Sequence, residues 1–126
     1  MRAVLDTSVI IATDVGPLTG ELAISAATLA ELHFGVLVAD VPSIRAERLR
    51  RLSVLQRQFQ ALPVDDAVAA SYGRLAAAVA TAGSQPRART MDLLIAATAH
   101  AYGARLFTCN IADFAGADQL VEVVEV

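Results

Sequence analysis

At 126 residues and 56% hydrophobic content, the chain has the length of one ordinary domain and enough apolar side chains for a real core. Its formal net charge of −3 speaks against a general nucleic-acid binder, a lone Cys109 excludes an internal disulfide, and that cysteine with His33 and His100 cannot make a zinc constellation. All ten basic residues are arginine, so every lysine-dependent mechanism is excluded too.

In chain order, residues 2 to 6 read as a short buried strand, and Thr7-Ser8 open a short helix through Thr13 that ends before the Gly16-Pro17 turn. The opening run Ala3-Val4-Leu5 is cut short by Asp6, too early for a signal-peptide core or a membrane span, so a cytoplasmic protein is expected. Leu22 to Ile24 reads as a second strand, Ser25 as an N-cap, and residues 26 to 40 as a helix through Leu29, Leu32 and Val36. Pro42-Ser43 begins a third helix, with Ile44, Leu52, Leu55 and Phe59 as an inner stripe beneath Arg45, Arg48, Arg50, Arg51 and Arg57. Leu62-Pro63-Val64 reads as a short strand, followed by an alanine-rich helix from about Asp66 to Ala82.

Gly83-Ser84-Gln85-Pro86 breaks the pattern, and Thr90 is placed to cap a nearly all-apolar helix from Met91 to Tyr102 that must be buried on most sides. Gly103 closes it, Arg105 to Thr108 is a strand, Asn110 to Phe114 a loop or single turn, and Leu120 to Val124 a last strand. Alternating strands and helices predict one α/β domain over residues 1–126, with a mostly parallel sheet of four to five strands and helices on both faces. In such sheets ligands collect beyond the carboxyl ends of the strands, where Asp6 and the Asn110 to Asp113 segment fall.

Four acids interrupt this apolar pattern. Asp6 ends the first strand, and Glu31 shares a helix face with Ala27, Phe34, Gly35 and Val38. Asp92 is followed on its own face by Ile95, Ala96 and Ala99, and Asp113 lies between Ile111 and Phe114. Burying one such charge alone costs on the order of several kcal/mol or forces protonation. Structural readings exist for three of them: Asp6 as a helix cap, Asp92 against a helix dipole, and Asp113 in a turn. Glu31 is the hardest to excuse as structural, because its whole predicted face is apolar.

Taken together, four carboxylates with almost no basic partners at these offsets point to divalent cations. Hard oxygen donors suit Mg²⁺ or Mn²⁺, and such ions serve phosphodiester hydrolysis by activating water and stabilising the leaving oxygen. Neutralising the four acids would leave the rest of the surface formally at +1. Arg87 and Arg89, just before Asp92, are candidates for gripping substrate phosphate, with a solvated loop charge as the alternative.

The ordered set Val4-Leu5-Asp6-Thr7-Ser8, Ile24-Ser25 through Leu29-Ala30-Glu31-Leu32 with Gly35, Asp92-Leu93-Leu94-Ile95-Ala96-Ala97-Thr98-Ala99, and Phe107-Thr108-Cys109-Asn110 leading to Asp113-Phe114 resembles the PIN-domain ribonucleases, and within them the VapC-type toxins of bacterial toxin–antitoxin pairs. The resemblance covers nearly the whole chain. It implies a PIN-like fold, a metal-dependent endoribonuclease, and Asp6, Glu31, Asp92 and Asp113 as ligands of Mg²⁺ or Mn²⁺, directly or through water. It further implies Ser8, Thr108 and Asn110 as supporting polar groups, a homodimer, and a cognate antitoxin that lies across the helices flanking the acids. Asn110 stands where some relatives carry another acid. The arginine-rich third helix is more often a solvated face than an RNA track. A non-toxin PIN nuclease in RNA processing and a catalytically silent PIN scaffold are the alternatives. A phosphatase or phosphoaspartate receiver would resemble families with a site lysine, and no G-x-G-x-x-G or G-K-[ST] loop supports a nucleotide-binding module.

Overall fold

Successive side chains of a strand face opposite ways, and in this protein both ways lead to core. The computed structural model describes all residues, Met1–Val126. In β1 (Arg2–Leu5), Val4 joins the larger hydrophobic cluster while Ala3 and Leu5 join the smaller one. Leu106 and Phe107 of β4 (Arg105–Thr108) divide in the same way. A strand apolar on both faces needs helices on both faces, as a parallel sheet supplies. The sheet has five strands in the order β3-β2-β1-β4-β5, every pair parallel, with β2 at Glu21–Ser25, β3 at Gln60–Leu62 and β5 at Val123–Glu125.

On the larger cluster's side, α5 (Thr90–Ala101) lies against β1, β2 and β4 and is itself covered by α4 (Asp66–Thr81). That placement buries Leu93, Ile95, Ala96, Ala97, Thr98 and Ala99 around most of the helix, as its apolar composition predicts. The alanines of α4 and α5 permit this close approach. On the other side stand α1 (Thr7–Ile11) and the C-terminal half of α3 (Pro42–Gln58), whose Val9 and Leu55 enter the smaller cluster. α2 (Ala26–Leu37) begins as predicted: Ser25 Oγ accepts from the Ala27 amide at 3.1 Å and meets Thr98 Oγ1 at 2.9 Å. The Thr98 hydroxyl already donates to the Leu94 carbonyl, so Ser25 is the donor of that pair.

Several boundaries depart from expectation. β3 lies before Pro63 rather than across it, because proline has no amide for the ladder. β5 starts at Val123, since Leu120 and Val121 turn back on the Ala117 carbonyl. Thr90 does not cap α5: a 3₁₀ turn over Pro86–Arg89 runs straight into the helix, and the Thr90 hydroxyl donates to the Arg87 carbonyl. Gly103 does close α5, with a φ of 63° that a side chain rarely adopts.

The larger correction concerns the junction of α2 and α3. Every residue from Asp40 to Arg51 is exposed, so Ile44 is not part of an inner stripe, whereas Leu52 and Leu55 are buried. On α2, Ala27, Thr28 and Val36 face inward and leave Phe34 67% and Leu37 74% exposed. The apolar face shared by Glu31 is therefore only partly core.

Candidate active site

The chain goes from β1 outward to β2 and β3, then returns to the other side of β1 with β4. This reversal opens a crevice beyond the carboxyl ends of β1 and β4. Asp6 follows β1 directly, and its amide donates to the Phe107 carbonyl at 2.8 Å, locking the two strand ends together. Asp6 stands at the N-cap position of α1 but does not cap it. Instead its Oδ2 accepts from Ser8 Oγ at 2.7 Å and Thr108 Oγ1 at 2.9 Å. Each hydroxyl spends its one proton on Asp6, so the 3.3 Å approach of Ser8 to Thr108 is a contact without a donor. The same hydroxyls accept from the Cys109 and Asn110 amides, both at 3.0 Å. One oxygen of a buried carboxylate is thus held by a fully used network, while Oδ1 accepts from no group in the protein.

Glu31, Asp92 and Asp113 share the crevice. Glu31 comes from the second turn of α2, where Oε1 accepts from Thr7 Oγ1 at 2.7 Å. Asp92 sits in the first turn of α5 and Asp113 in the 3₁₀ turn Ile111–Phe114 that follows β4. None of the four is ion-paired; the protein's two ion pairs, Arg2–Glu21 and Arg50–Glu47, lie elsewhere. The electrostatic result is concentrated on Asp92. Burial, then the charges of Asp6, Asp113 and Glu31, push its carboxyl up from 3.8 to about 6, against a smaller opposing pull from Arg89. The acids surround a basin without closing on a point: no three acidic, His or Cys side chains stand near enough to grip one ion together. Mutual repulsion favours that spacing, and an ion such as Mg²⁺, which keeps several of its waters, needs only one or two carboxylates in direct contact. Hard oxygens, an unpartnered Oδ1 and unneutralised charge fit such a cation.

The other predicted residues divide. Ser8 and Thr108 support Asp6 through their side chains, whereas Asn110 contributes its amide and its side chain stays exposed without a hydrogen bond. Arg89 Nη1 donates to the Asp113 and Ala112 carbonyls at 2.8 and 3.1 Å, tying the entrance of α5 to the turn that carries Asp113. Arg87 is exposed and makes no side-chain hydrogen bond. Sequence reasoning passed over Thr7, which reads as a helix opener; only its meeting with Glu31 and, at 3.2 Å, Thr28 reveals its place here.

The sequence pattern of the PIN domain matches residues 3–119. The chain belongs to the PIN-domain family. This PIN domain is 40% identical to ribonuclease VapC5 of Mycobacterium tuberculosis over 98% of the chain and 94% of that protein. It is 39% identical to ribonuclease VapC8 of the same species over 75% of the chain and 88% of the relative. Its fold superposes with a TM-score of 0.84 on the crystal structure of VapBC-5, a member of the VapBC family of toxin–antitoxin systems from M. tuberculosis, at 38% identity and over 99% of this chain and 97% of that one. Within its family it therefore stands in the VapC ribonuclease branch. No helix of this PIN domain is long and apolar enough to cross a membrane.

Proposed function

We propose that this PIN domain is the toxin of a toxin–antitoxin pair, an endoribonuclease dependent on Mg²⁺ or Mn²⁺. The observation that carries the reading is the meeting of Asp6, Glu31, Asp92 and Asp113 at the sheet's switch point with no basic side chain ion-paired to any of them, where burial and the three neighbouring charges lift Asp92 to about 6. Asp6 and Asp92 would hold the ion most directly, and Glu31 and Asp113 directly or through water. When bound, the ion supplies activation of a water molecule and neutralisation of developing phosphate charge. The chain's own part is positional. Ser8 and Thr108 hold the Asp6 carboxylate by Oδ2 and leave Oδ1 free for an ion, Thr7 orients Glu31, and Arg89 holds the turn bearing Asp113. Arg87, exposed and without a side-chain hydrogen bond, would meet substrate phosphate. RNA as substrate puts this action in the cytoplasm.

The partner reading rests on surface. Phe34, Leu37, Val38, Val41 and Ile44 at the α2–α3 junction are all exposed, five large apolar side chains gathered in one short segment, and such apolar surface marks interaction sites. The antitoxin would cover this face beside Glu31, and a second copy of the chain would bury apolar surface of its own. The VapBC-5 system, similar to this chain nearly end to end, is itself a toxin–antitoxin system. The decisive experiment is cleavage of RNA by the purified chain with Mg²⁺ or Mn²⁺, with excess chelator, and with Asp6→Asn. Cleavage lost in the last two cases is expected; undiminished cleavage in chelator overturns the proposal. Expression of the chain without its antitoxin should slow growth, and Asp6→Asn should not.

A further inference from the structure

Beside the carboxylate basin lies a cleft of about 650 Å³ between α1, α2 and α3. Thr7 and Glu31 stand at its site end, Leu32 and Leu55 help to line it, and Arg48 and Arg51 project from α3 along it. The charge in this wall is unusual for the chain. α3 carries five arginines and one acid, Glu47, a formal +4 in a protein whose total is −3, so everything outside the helix sums to −7.

These arginines are not neutralised by the fold. Only Arg50 is ion-paired, to Glu47. Arg48 Nη1 donates to the Gly35 carbonyl at 2.7 Å, which anchors the side chain at the cleft and leaves its other N–H groups without protein partners. Arg51 makes no hydrogen bond or ion pair within the protein. The two lie one helical turn apart, where like charges repel, and the one acid near Arg51, Glu47, is already paired to Arg50. A polyanion lying in the cleft removes that repulsion, and the planar guanidinium fork matches phosphate. A strand whose scissile bond sits at the acids has to cross surface of its own sign unless it leaves along a basic wall, and this cleft is the basic wall that opens beside Glu31.

We propose that the α3 cleft is the track for the RNA backbone flanking the scissile bond, with Arg48 and Arg51 as positioning residues that grip phosphates away from the reacting one. This assigns α3 a role that charge runs alone do not support, and it rests on the ribonuclease reading above.

The test is steady-state cleavage of single-stranded RNA by the full chain, comparing wild type, Arg51→Ala, Arg51→Lys and the Arg48→Ala/Arg51→Ala double variant over a range of salt. The expected result is a several-fold rise in KM with a smaller change in kcat, and a log–log salt slope flatter by about 0.7 for each phosphate contact removed. Arg51→Lys should retain most of the slope. A dinucleotide, too short to reach the cleft, should be cut equally by all four proteins, which a merely structural role of the arginines would not produce. Unchanged KM and parallel salt slopes on the long substrate overturn the track. So does equal loss on long and short substrates, or unchanged RNA kinetics with weakened binding of the antitoxin, which would make the cleft a protein groove. If the wild-type chain cuts no RNA with either metal, the ribonuclease reading fails and takes the track with it.

Discussion

Replacing Asp92 by Asn tests the electrostatic core of the site without cutting a single strand of RNA. The substitution preserves shape and removes one charge from a basin that burial and Asp6, Asp113 and Glu31 make hostile to it. A carboxyl lifted from 3.8 to about 6 corresponds to about 3 kcal/mol before solvent is considered. Asp92 is only half-buried, so screening reduces this to about 1–2 kcal/mol. The sign follows from proton binding. Between pH 3.8 and about 6 the folded protein holds a proton that the unfolded chain has lost, so wild-type stability falls as pH rises through that window. The penalty is absent below it and complete above it. In the presence of chelator at pH 8, Asp92→Asn should therefore melt higher than wild type by about 4–8 °C, taking about 4 °C per kcal/mol for a domain of this size. The difference should shrink towards pH 4.5. Added Mg²⁺ should stabilise wild type and reverse the order, because on the proposed function the variant has lost a ligand. Thermal unfolding followed by circular dichroism reads all three conditions. A variant less stable than wild type at pH 8 in chelator, or a gap independent of pH, would refute the idea that the four carboxylates strain one another.

Thr108→Val removes a fully buried donor to Asp6 and an acceptor for the Asn110 amide, so a loss of about 1–3 kcal/mol in denaturant unfolding is expected, together with weaker metal-induced stabilisation. Arg89→Ala should lower stability by about 1 kcal/mol and reduce cleavage at least tenfold by freeing the turn that carries Asp113, whereas Arg87→Ala should leave melting unchanged and flatten the salt slope of cleavage by about 0.7. Equal melting losses for the two would contradict their separate roles. Phe34→Glu, at a position 67% exposed, should alter unfolding by less than about 0.5 kcal/mol yet weaken antitoxin capture in a calorimetric titration more than tenfold. Unchanged affinity would move the partner to another face.

Much of this protein is legible in one dimension. Strand and helix periods, the Ser25 cap, the glycine stop at Gly103 and the all-apolar helix from Met91 follow from local sterics and hydrogen bonding, which neighbouring residues largely determine. So does the suspicion attached to Asp6, because a carboxylate that ends a buried strand has few innocent uses. Tertiary structure decided the rest. Sheet order alone brings Thr108 to Asp6 across 102 residues and turns an apparent helix cap into a carboxylate held by two hydroxyls. Packing decided that Phe34 and Ile44 face water while Leu52 and Leu55 do not, since an apolar stripe states what could be buried but not whether anything lies opposite. The site charges behave likewise. Arg89 reads as a phosphate ligand in sequence and is committed in part to two backbone carbonyls in space, and the carboxyl of Asp92 is lifted because the fold half-buries it and brings three other acids, distant along the chain, to the same crevice. Coulomb energy depends on separation in space, and the chain's order carries no record of it until the fold is made.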